Sequence, residues 1–184
     1  MTRQDVNPMS ESPASTPTTD FSIRKAGPAD LNAINDIYNY FVTRSSCTFQ
    51  TDCSAGDERR EWFSRHGPEY PVIVAEEQGA VIGWASLSPY HSRCGYRFTV
   101  EDSVYVRADC HGRGIGRALL TDLVRRATEI GHHSIIAMIA GDQPASVGLH
   151  AKQGFVQVAH LREVGYKFER WIDVIFMQRM LGQA

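Results

Sequence analysis

The sequence has little of what membrane, metal-binding and disulfide-rich secreted proteins require. Its longest apolar run lies near residues 135–140 and is far shorter than the roughly 20 residues of a membrane-spanning helix. The four cysteines form no Cys-x-x-Cys pair and no spacing typical of zinc ligands or of a disulfide framework: Cys47, Cys53, Cys94 and Cys110. We therefore expect a cytoplasmic protein with reduced thiols, no bound metal and no membrane partner.

A strong excess of one charge is also absent. The formal net charge is -2 at pH 7 in a chain of 184 residues, of which 22% are charged and 42% hydrophobic, as in ordinary soluble domains. That balance creates no field that would gather nucleic acid, so a small molecule is the expected partner. The length suffices for one domain with its own buried core.

Large apolar side chains are nearly missing from the first twenty residues, which are rich in Ser, Thr and Pro. A segment of this composition cannot bury enough apolar surface to fold, so residues 1–20 are predicted to be a disordered tail. The segment also lacks the apolar stretch of a secretory signal. The folded domain is accordingly assigned to residues 21–184.

Regular hydrophobic patterns begin at Ser22. Runs rich in β-formers predict seven strands, at residues 22–25, 71–76, 81–87, 96–106, 134–140, 155–161 and 171–180. Apolar side chains at three- and four-residue spacing predict four helices, at residues 31–41, 57–65, 114–131 and 145–153. This order predicts a mixed α/β fold, with a largely antiparallel central sheet flanked by helices.

A glycine-rich turn joins the fourth predicted strand to the third helix. It contains Gly112, Arg113, Gly114, Ile115, Gly116 and Arg117. Unpaired amide groups at a helix N-terminus attract anions, and cations in a first helical turn are unfavourable unless an anion is bound. The turn lacks the Gly-Lys-Ser/Thr ending of a P-loop and the third glycine of a dinucleotide fingerprint. It is therefore predicted to bind phosphate groups, the alternative being a turn that binds nothing.

Together with three further segments, this turn resembles the GNAT superfamily of N-acetyltransferases, and within it the phosphinothricin or methionine sulfoximine type. The segments are residues 96–106, 145–155 and 165–173, which match that type in order and spacing. The resemblance implies the acyl-coenzyme A N-acyltransferase fold, with acetyl-coenzyme A as the co-substrate.

The resemblance also assigns the residues that would hold acetyl-coenzyme A. Its diphosphate would lie on residues 112–117, and its pantetheine arm would pair with the backbone of Val104, Tyr105 and Val106. Gln143 stands where an Asn usually contacts the cofactor. Because Gln can still form hydrogen bonds, we expect altered affinity rather than loss of binding.

By the same resemblance, Glu101 is the general base that takes a proton from the substrate amine, since a protonated amine cannot attack a thioester. The alternative for Glu101 is an ion pair with an arginine such as Arg97. Strand alternation places Asp102 on the opposite face, so only one of the two carboxylates is expected in the site. His150 stands where many members have a tyrosine that protonates the departing thiolate, its alternative being a hydrogen-bonded structural histidine.

Substrate contacts are predicted from the region before the fourth strand. Arg93 matches a basic residue that the family places near the acidic group of the substrate, and Tyr96 is predicted to line the pocket together with residues 48–49.

Cys110 has no matched base to activate its thiol and is not expected to form an acyl-enzyme. His132 and its neighbour are expected in a solvated loop.

The sequence thus predicts an N-acetyltransferase that moves the acetyl group of acetyl-coenzyme A to the amino group of a small amino-acid-like substrate, such as phosphinothricin or methionine sulfoximine. Two alternatives stay open: a non-catalytic acyl-coenzyme A sensor, and an enzyme acting on a protein N-terminus or another amine. Family analogy further implies a homodimer.

Overall fold

A computed structural model describes residues 20–182, so the predicted tail lies outside the described residues except for Asp20. The elements in chain order are β1 (Ser22–Lys25), α1 (Leu31–Arg44), α2 (Gly56–Ser64), β2 (Val72–Glu77), β3 (Ala80–Pro89), β4 (Thr99–Val106), α3 (Ile115–Ile130), β5 (Ser134–Ala140), α4 (Pro144–Lys152), β6 (Val156–Lys167) and β7 (Arg170–Met180). Every predicted helix and strand is present, which confirms the mixed α/β fold. Within residues 20–182, no helix is both long and apolar enough to cross a membrane.

The strands form one sheet in the order β1-β2-β3-β4-β5-β7-β6. Neighbouring strands are antiparallel except for β4 and β5, which run parallel. A parallel pair requires a crossover connection, and α3 provides it. β4 therefore lies at the centre of a largely antiparallel sheet, as predicted.

β4 and β5 are paired over a short distance only. Residues 99–101 pair with residues 134–136, after which β4 stays paired with β3 as far as Val106 and β5 stays paired with β7 as far as Ala140. The two central strands therefore separate beyond Glu101. Their separation leaves a wedge-shaped opening in the middle of the sheet.

A hydrophobic core covers each face of the sheet. α3 packs on one face through an apolar stripe formed by Ile115, Leu119, Leu120 and Leu123. α1 packs on the other face, where Ile34 and Ile37 contribute to a core with Trp84 of β3. Gly131 ends α3 at a φ of 94°, a left-handed conformation that glycine adopts without strain.

β4 begins later than predicted. Residues 96–98 lie outside the strand because Cys94–Tyr96 form a 3-10 turn, in which the Arg97 N–H donates to Cys94 O at 3.2 Å. This turn leaves the side chains of Tyr96 and Phe98 exposed.

β6 continues beyond its predicted end at residue 161. A bulge with Glu163 at a φ of 53° interrupts the pairing with β7, which resumes where Gly165 faces Ile172.

The expectation of a solvated His132 is wrong, because this residue is buried and its Nε2 lies 2.7 Å from Glu69 O.

Candidate active site

A cavity of about 860 Å³ lies in the opening between β4 and β5. Its walls include both strands, the segment between α1 and α2, and α4. Thr48 and Phe49 line it, as predicted. The cavity therefore joins parts of the chain that are distant in sequence at the centre of the sheet.

Glu101 and Asp102 both line this cavity, although they are adjacent in β4. The expectation that only one carboxylate reaches the site is therefore wrong. Their side chains do point to opposite faces of the strand, but beyond Glu101 no strand is paired with β4 on the side of β5. The cavity consequently extends around the free edge of β4 and reaches both faces.

The side chain of Glu101 is half-buried, and its carboxylate forms no hydrogen bond or ion pair within the described chain. Burial, followed by the negative charge of Asp102, raises the pKa of Glu101. The alternative ion pair with Arg97 is absent, because that guanidinium donates to Cys94 O at 3.3 Å and lies 4.4 Å from the centre of the Phe98 ring. The cavity thus contains a carboxylate that is free to accept a proton.

His150 is buried and makes polar contacts through both ring nitrogens. Its Nε2 lies 3.0 Å from Asp102 Oδ2, and its Nδ1 lies 2.8 Å from the carbonyl oxygen of Ser146. A carbonyl oxygen can only accept, so Nδ1 carries a proton. The contact between Nε2 and the carboxyl group then requires a second proton on one of those two groups.

Burial opposes a charge on His150, but the hydrogen bond and negative charge of Asp102 outweigh it and raise the pKa of His150. The pair is best described as an imidazolium bonded to a carboxylate. Asp102 Oδ1 has no hydrogen-bond partner among residues 20–182. His150 lines the cavity, and its role in a reaction stays a prediction.

Four consecutive amide groups at the start of α3, from Gly114 to Arg117, donate no hydrogen bond to another residue of the described chain. The first such bond of this helix runs from the Ala118 N–H to Gly114 O at 3.0 Å. Gly112 and Gly114 have φ values of 78° and 82°, and no atom lies within 4 Å of the position of a Cβ at either residue. An open, amide-lined surface of this kind fits a diphosphate group.

The two arginines of this turn differ. Arg113 forms an ion pair with Glu77, so a protein carboxylate already balances its charge. Arg117 has no polar partner within residues 20–182 and lines a shallow depression beside Gly114. Of the two predicted anion-binding arginines, Arg117 is therefore the one whose charge is left for a ligand.

The edge of β4 that faces the opening has no strand partner beyond Glu101. It includes Val104, Tyr105 and Val106, the residues predicted to pair with an extended ligand. The Val106 carbonyl already has one partner, because His111 Nε2 lies 2.9 Å from it. A carbonyl oxygen has two lone pairs, so this contact leaves room for a second donor.

Gln143 lines the cavity immediately before α4. Its Nε2 donates to Ser46 Oγ at 2.9 Å, which connects α4 to the segment that follows α1. Its side-chain oxygen has no partner in the described part of the chain and can accept a hydrogen bond from a ligand.

Arg93 and Tyr96 do not line the cavity. Both are exposed in the turn before β4, where the Tyr96 ring centre lies 5.9 Å from that of Tyr90 and 5.1 Å from that of His91. The structure therefore does not bring them together with Glu101. Their contact with the substrate stays a prediction.

A buried arginine in the cavity wall was not predicted. Arg59 of α2 is 5% exposed, and its guanidinium carbon lies 4.5 Å from the centre of the Tyr38 ring and 4.8 Å from that of Trp62. The spacing Arg59-x-x-Trp62 was an available signal, because residues three apart share a helix face. The contact with Tyr38 depends on how α1 packs on α2, which no local pattern displays.

A buried lysine holds the segment that follows α1. Lys167 Nζ donates to Ser45 O at 2.8 Å and to Thr48 O at 2.6 Å, and burial lowers its pKa. Beside it, the Phe49 ring lies against Gly165 of β6, where a Cβ would overlap with the ring. Two residues of β6 therefore hold the segment at residues 45–49, which forms one wall of the cavity.

The fold and the cavity together define a class of protein. A split central sheet lies beside an amide-lined helix N-terminus, and a free carboxylate stands where the two strands separate. This arrangement suits an extended ligand with a phosphate group at one end and a reacting group at the other.

Comparison with known proteins identifies the family. Residues 34–155 match the acetyltransferase (GNAT) family. The chain is 43% identical over 163 residues to the L-amino acid N-acyltransferase MnaT of Escherichia coli, an alignment that covers 88% of this chain and 95% of that protein. It is 40% identical over 163 residues to the L-methionine sulfoximine/L-methionine sulfone acetyltransferase of Salmonella typhimurium, again covering 88% and 95%.

A solved structure gives the same result. The phosphinothricin acetyltransferase of Sinorhizobium meliloti, in complex with AcCoA, has a TM-score of 0.86 and 41% identity, and the match covers 89% of each chain. The chain therefore belongs to the acetyltransferase (GNAT) family, which confirms the resemblance found in its sequence.

Proposed function

We propose that this protein transfers the acetyl group of acetyl-coenzyme A to the amino group of a small amino-acid-like substrate, with Glu101 as the general base. The observation that carries this proposal is the Glu101 carboxylate, which lines the cavity without a partner in the described chain. A carboxylate that forms no ion pair is free to take a proton from an ammonium group.

The residues around the opening suit the proposed co-substrate, whose thioester supplies an activated acetyl group. The amides of residues 112–117 would bind its diphosphate, and the free edge of β4 at Val104, Tyr105 and Val106 would bind its pantetheine arm. Gln143 would contact it further along the cavity. The Sinorhizobium meliloti relative contains AcCoA, which supports this assignment.

The environment of Glu101 suits the role of base. An ordinary Glu has a pKa of about 4.3 and an α-amino group one of about 8, so proton transfer between them is strongly uphill. Burial and the charge of Asp102 raise the pKa of Glu101 and narrow this difference. Proton transfer, direct or through one water, then produces the neutral amine that attacks the acetyl carbonyl.

His150 is proposed to supply the proton that the departing thiol needs. Burial opposes the charge, but the contact with Asp102 raises the pKa of His150 and thereby favours its imidazolium form, with a proton on Nε2. Delivery of this proton requires Nε2 to leave Asp102 Oδ2, now 3.0 Å away, and to contact the leaving group. His150 is then a neutral imidazole, and it recovers a proton from solvent when its Nε2 returns to the Asp102 carboxylate.

The proposed acceptors follow from the relatives. The Escherichia coli relative acts on L-amino acids, and the Salmonella typhimurium relative acts on L-methionine sulfoximine and L-methionine sulfone. A cavity of about 860 Å³ has room for one molecule of this size beside the end of a pantetheine arm. Arg93 and Tyr96 are retained as proposed outer contacts, because the turn that contains them leads directly into β4.

Release of free thiol from acetyl-coenzyme A tests the proposal. The acceptor panel contains phosphinothricin, methionine sulfoximine, methionine sulfone, ordinary amino acids, a short peptide and a polyamine. We expect turnover with the first three compounds. Turnover with the peptide alone would favour a protein N-terminus as acceptor, and calorimetric binding of acetyl-coenzyme A without turnover on any amine would favour the sensor.

We further propose a cytoplasmic homodimer that pairs through the edge strand β6. This strand and β7 expose large apolar side chains, each more than half exposed: Val156, Val158, Val164, Tyr166 and Trp171. An exposed apolar edge of this length is a template for pairing with a second chain. Analytical ultracentrifugation should show a dimer that Trp171→Asp dissociates, whereas Ser22→Asp on the opposite edge strand should leave it intact.

A further inference from the structure

The buried Arg59 has a charge that the described chain does not balance. Its Nε donates to Asn35 Oδ1 at 3.1 Å, but neither terminal nitrogen has a hydrogen-bond partner among residues 20–182, and no carboxylate there lies within ion-pair distance. Burial lowers the pKa of this guanidinium, which shows that the charge is held against a desolvation cost. Buried charges are normally paired, so this one indicates a missing anion.

Arg59 is also fixed in place. Its guanidinium carbon lies 4.5 Å from the centre of the Tyr38 ring, 4.8 Å from that of Trp62 and 5.9 Å from that of Trp84. Aromatic contacts on several sides and the bond to Asn35 hold the planar group in one orientation. Such a group binds a carboxylate through two parallel hydrogen bonds with little loss of side-chain entropy.

The other arginines near the cavity do not share these properties. Arg65 lines the cavity, but its side chain is 68% exposed and lies 3.7 Å from Glu61. Arg93 is exposed and outside the cavity wall. Among residues 20–182, Arg59 is the arginine that combines burial, a cavity position and free donors.

Arg59 and Glu101 lie on the same face of the sheet. In the pairing of β3 with β4, Trp84 faces Tyr105, Ser86 faces Ser103, and Ser88 faces Glu101. Arg59 covers the first pair and Glu101 belongs to the third, so roughly 13 Å of strand separates them. Between them the cavity floor is the polar pair Ser86 and Ser103.

An α-amino acid suits the two ends of this polar floor, which has a buried cation at one end and a carboxylate without a partner at the other. Its carboxylate and amino groups share one carbon, and hydrogen bonds at each end, with a bridging water at the amine, extend its reach along the floor. We propose that the guanidinium of Arg59 binds the carboxylate of the acceptor and thereby directs its amine toward Glu101. This inference rests on the proposed function and assigns the carboxylate subsite to α2 rather than to the turn containing Arg93.

A matched pair of acceptors tests the assignment. L-Methionine sulfone and 3-(methylsulfonyl)propan-1-amine differ only in the carboxylate, and both are assayed by thiol release at one pH. For Arg59→Met we expect kcat/KM for the amino acid to fall about 100-fold, the size expected for removing hydrogen bonds to a charged group. The value for the amine should change by less than threefold. The loss for the amino acid should appear mainly as a raised KM.

Three further variants make the test decisive. Arg59→Lys keeps the charge but loses the planar group that donates two parallel hydrogen bonds, so we expect kcat/KM for the amino acid alone to fall about tenfold. This variant also decides the question if Arg59→Met does not fold. Arg60→Met, an exposed neighbour in α2, should leave both acceptors unchanged. Equal losses for both acceptors in the Arg59 variants, or a larger selective loss in Arg65→Met, would overturn the assignment. A wild-type protein that acetylates no amino acid would instead refute the proposed function.

Discussion

Glu101 and Asp102 are adjacent carboxylates in one strand, yet they are in opposite situations. The side chain of Glu101 is half-buried, lines the cavity and has no partner in the described chain. Asp102 is buried on the other face and is bonded to His150 at 3.0 Å. The comparison shows that the split between β4 and β5 allows one strand to present a carboxylate without a partner on one face and a carboxylate bonded to a histidine on the other.

The largest effect that this comparison predicts comes from Glu101→Gln. A general base contributes roughly 100-fold to 10⁴-fold to a rate, so kcat should fall by at least 100-fold. Calorimetry should show unchanged binding of acetyl-coenzyme A, because the amides of residues 112–117 are untouched. A rate within threefold of wild type at every pH would show that Glu101 is not the base.

The next effect concerns stability. His150→Phe leaves the Asp102 carboxylate buried without a donor, and breaking a buried pair costs about 3 kcal/mol of unfolding free energy. Urea denaturation measures this cost. The double variant Asp102→Leu/His150→Phe is the control, because replacing both charged partners with apolar side chains should restore most of the stability.

The same double variant reveals the pH dependence of the pair. Because the folded-state pKa of His150 is raised, the pair stabilises the protein fully below the ordinary histidine value of about 6.5. That stabilisation is lost as the pH rises through the raised value. Wild type should therefore lose stability relative to the double variant above that pH, and a constant difference from pH 5 to 9 would contradict the ion pair.

The smallest predicted effect is a shift in the pH profile of kcat. The base works when deprotonated, so a raised pKa of Glu101 moves the acidic fall in rate to higher pH. Asp102→Asn removes the nearby negative charge and should move this fall to lower pH. Because burial is the larger cause of the raised pKa, we expect a displacement of less than about one pH unit. A displacement to higher pH would show that the two carboxylates do not interact as described.

Local patterns in the sequence predicted the elements and the open glycine turn before α3. Apolar spacing located α3, and the glycines at positions 112 and 114 do adopt the left-handed conformation that an open turn requires. The same patterns failed where non-local contacts decide. Nothing local shows that β4 and β5 separate beyond Glu101, and this separation brings Asp102 into the cavity.

The acceptor side of the cavity was the hardest part to predict. Arg59 appears in the sequence as one charge in a polar helix, and only its packing against Tyr38 of α1 shows that it is buried. Arg93 matched a family pattern, but a 3-10 turn at Cys94–Tyr96 holds it away from the cavity wall. Contacts between distant segments therefore decide which of these two arginines lines the cavity.

The contact between Phe49 and Gly165 has a consequence for selectivity. The ring fits against β6 because that strand position has no side chain, and a Cβ there would overlap with the ring, which lines the cavity. The shape of the cavity beside Phe49 thus depends on an edge strand that is distant from the ring in the sequence. We therefore expect Gly165→Ala to displace the Phe49 ring and to change the selectivity for the proposed acceptors, while the proposed role of Glu101 stays intact.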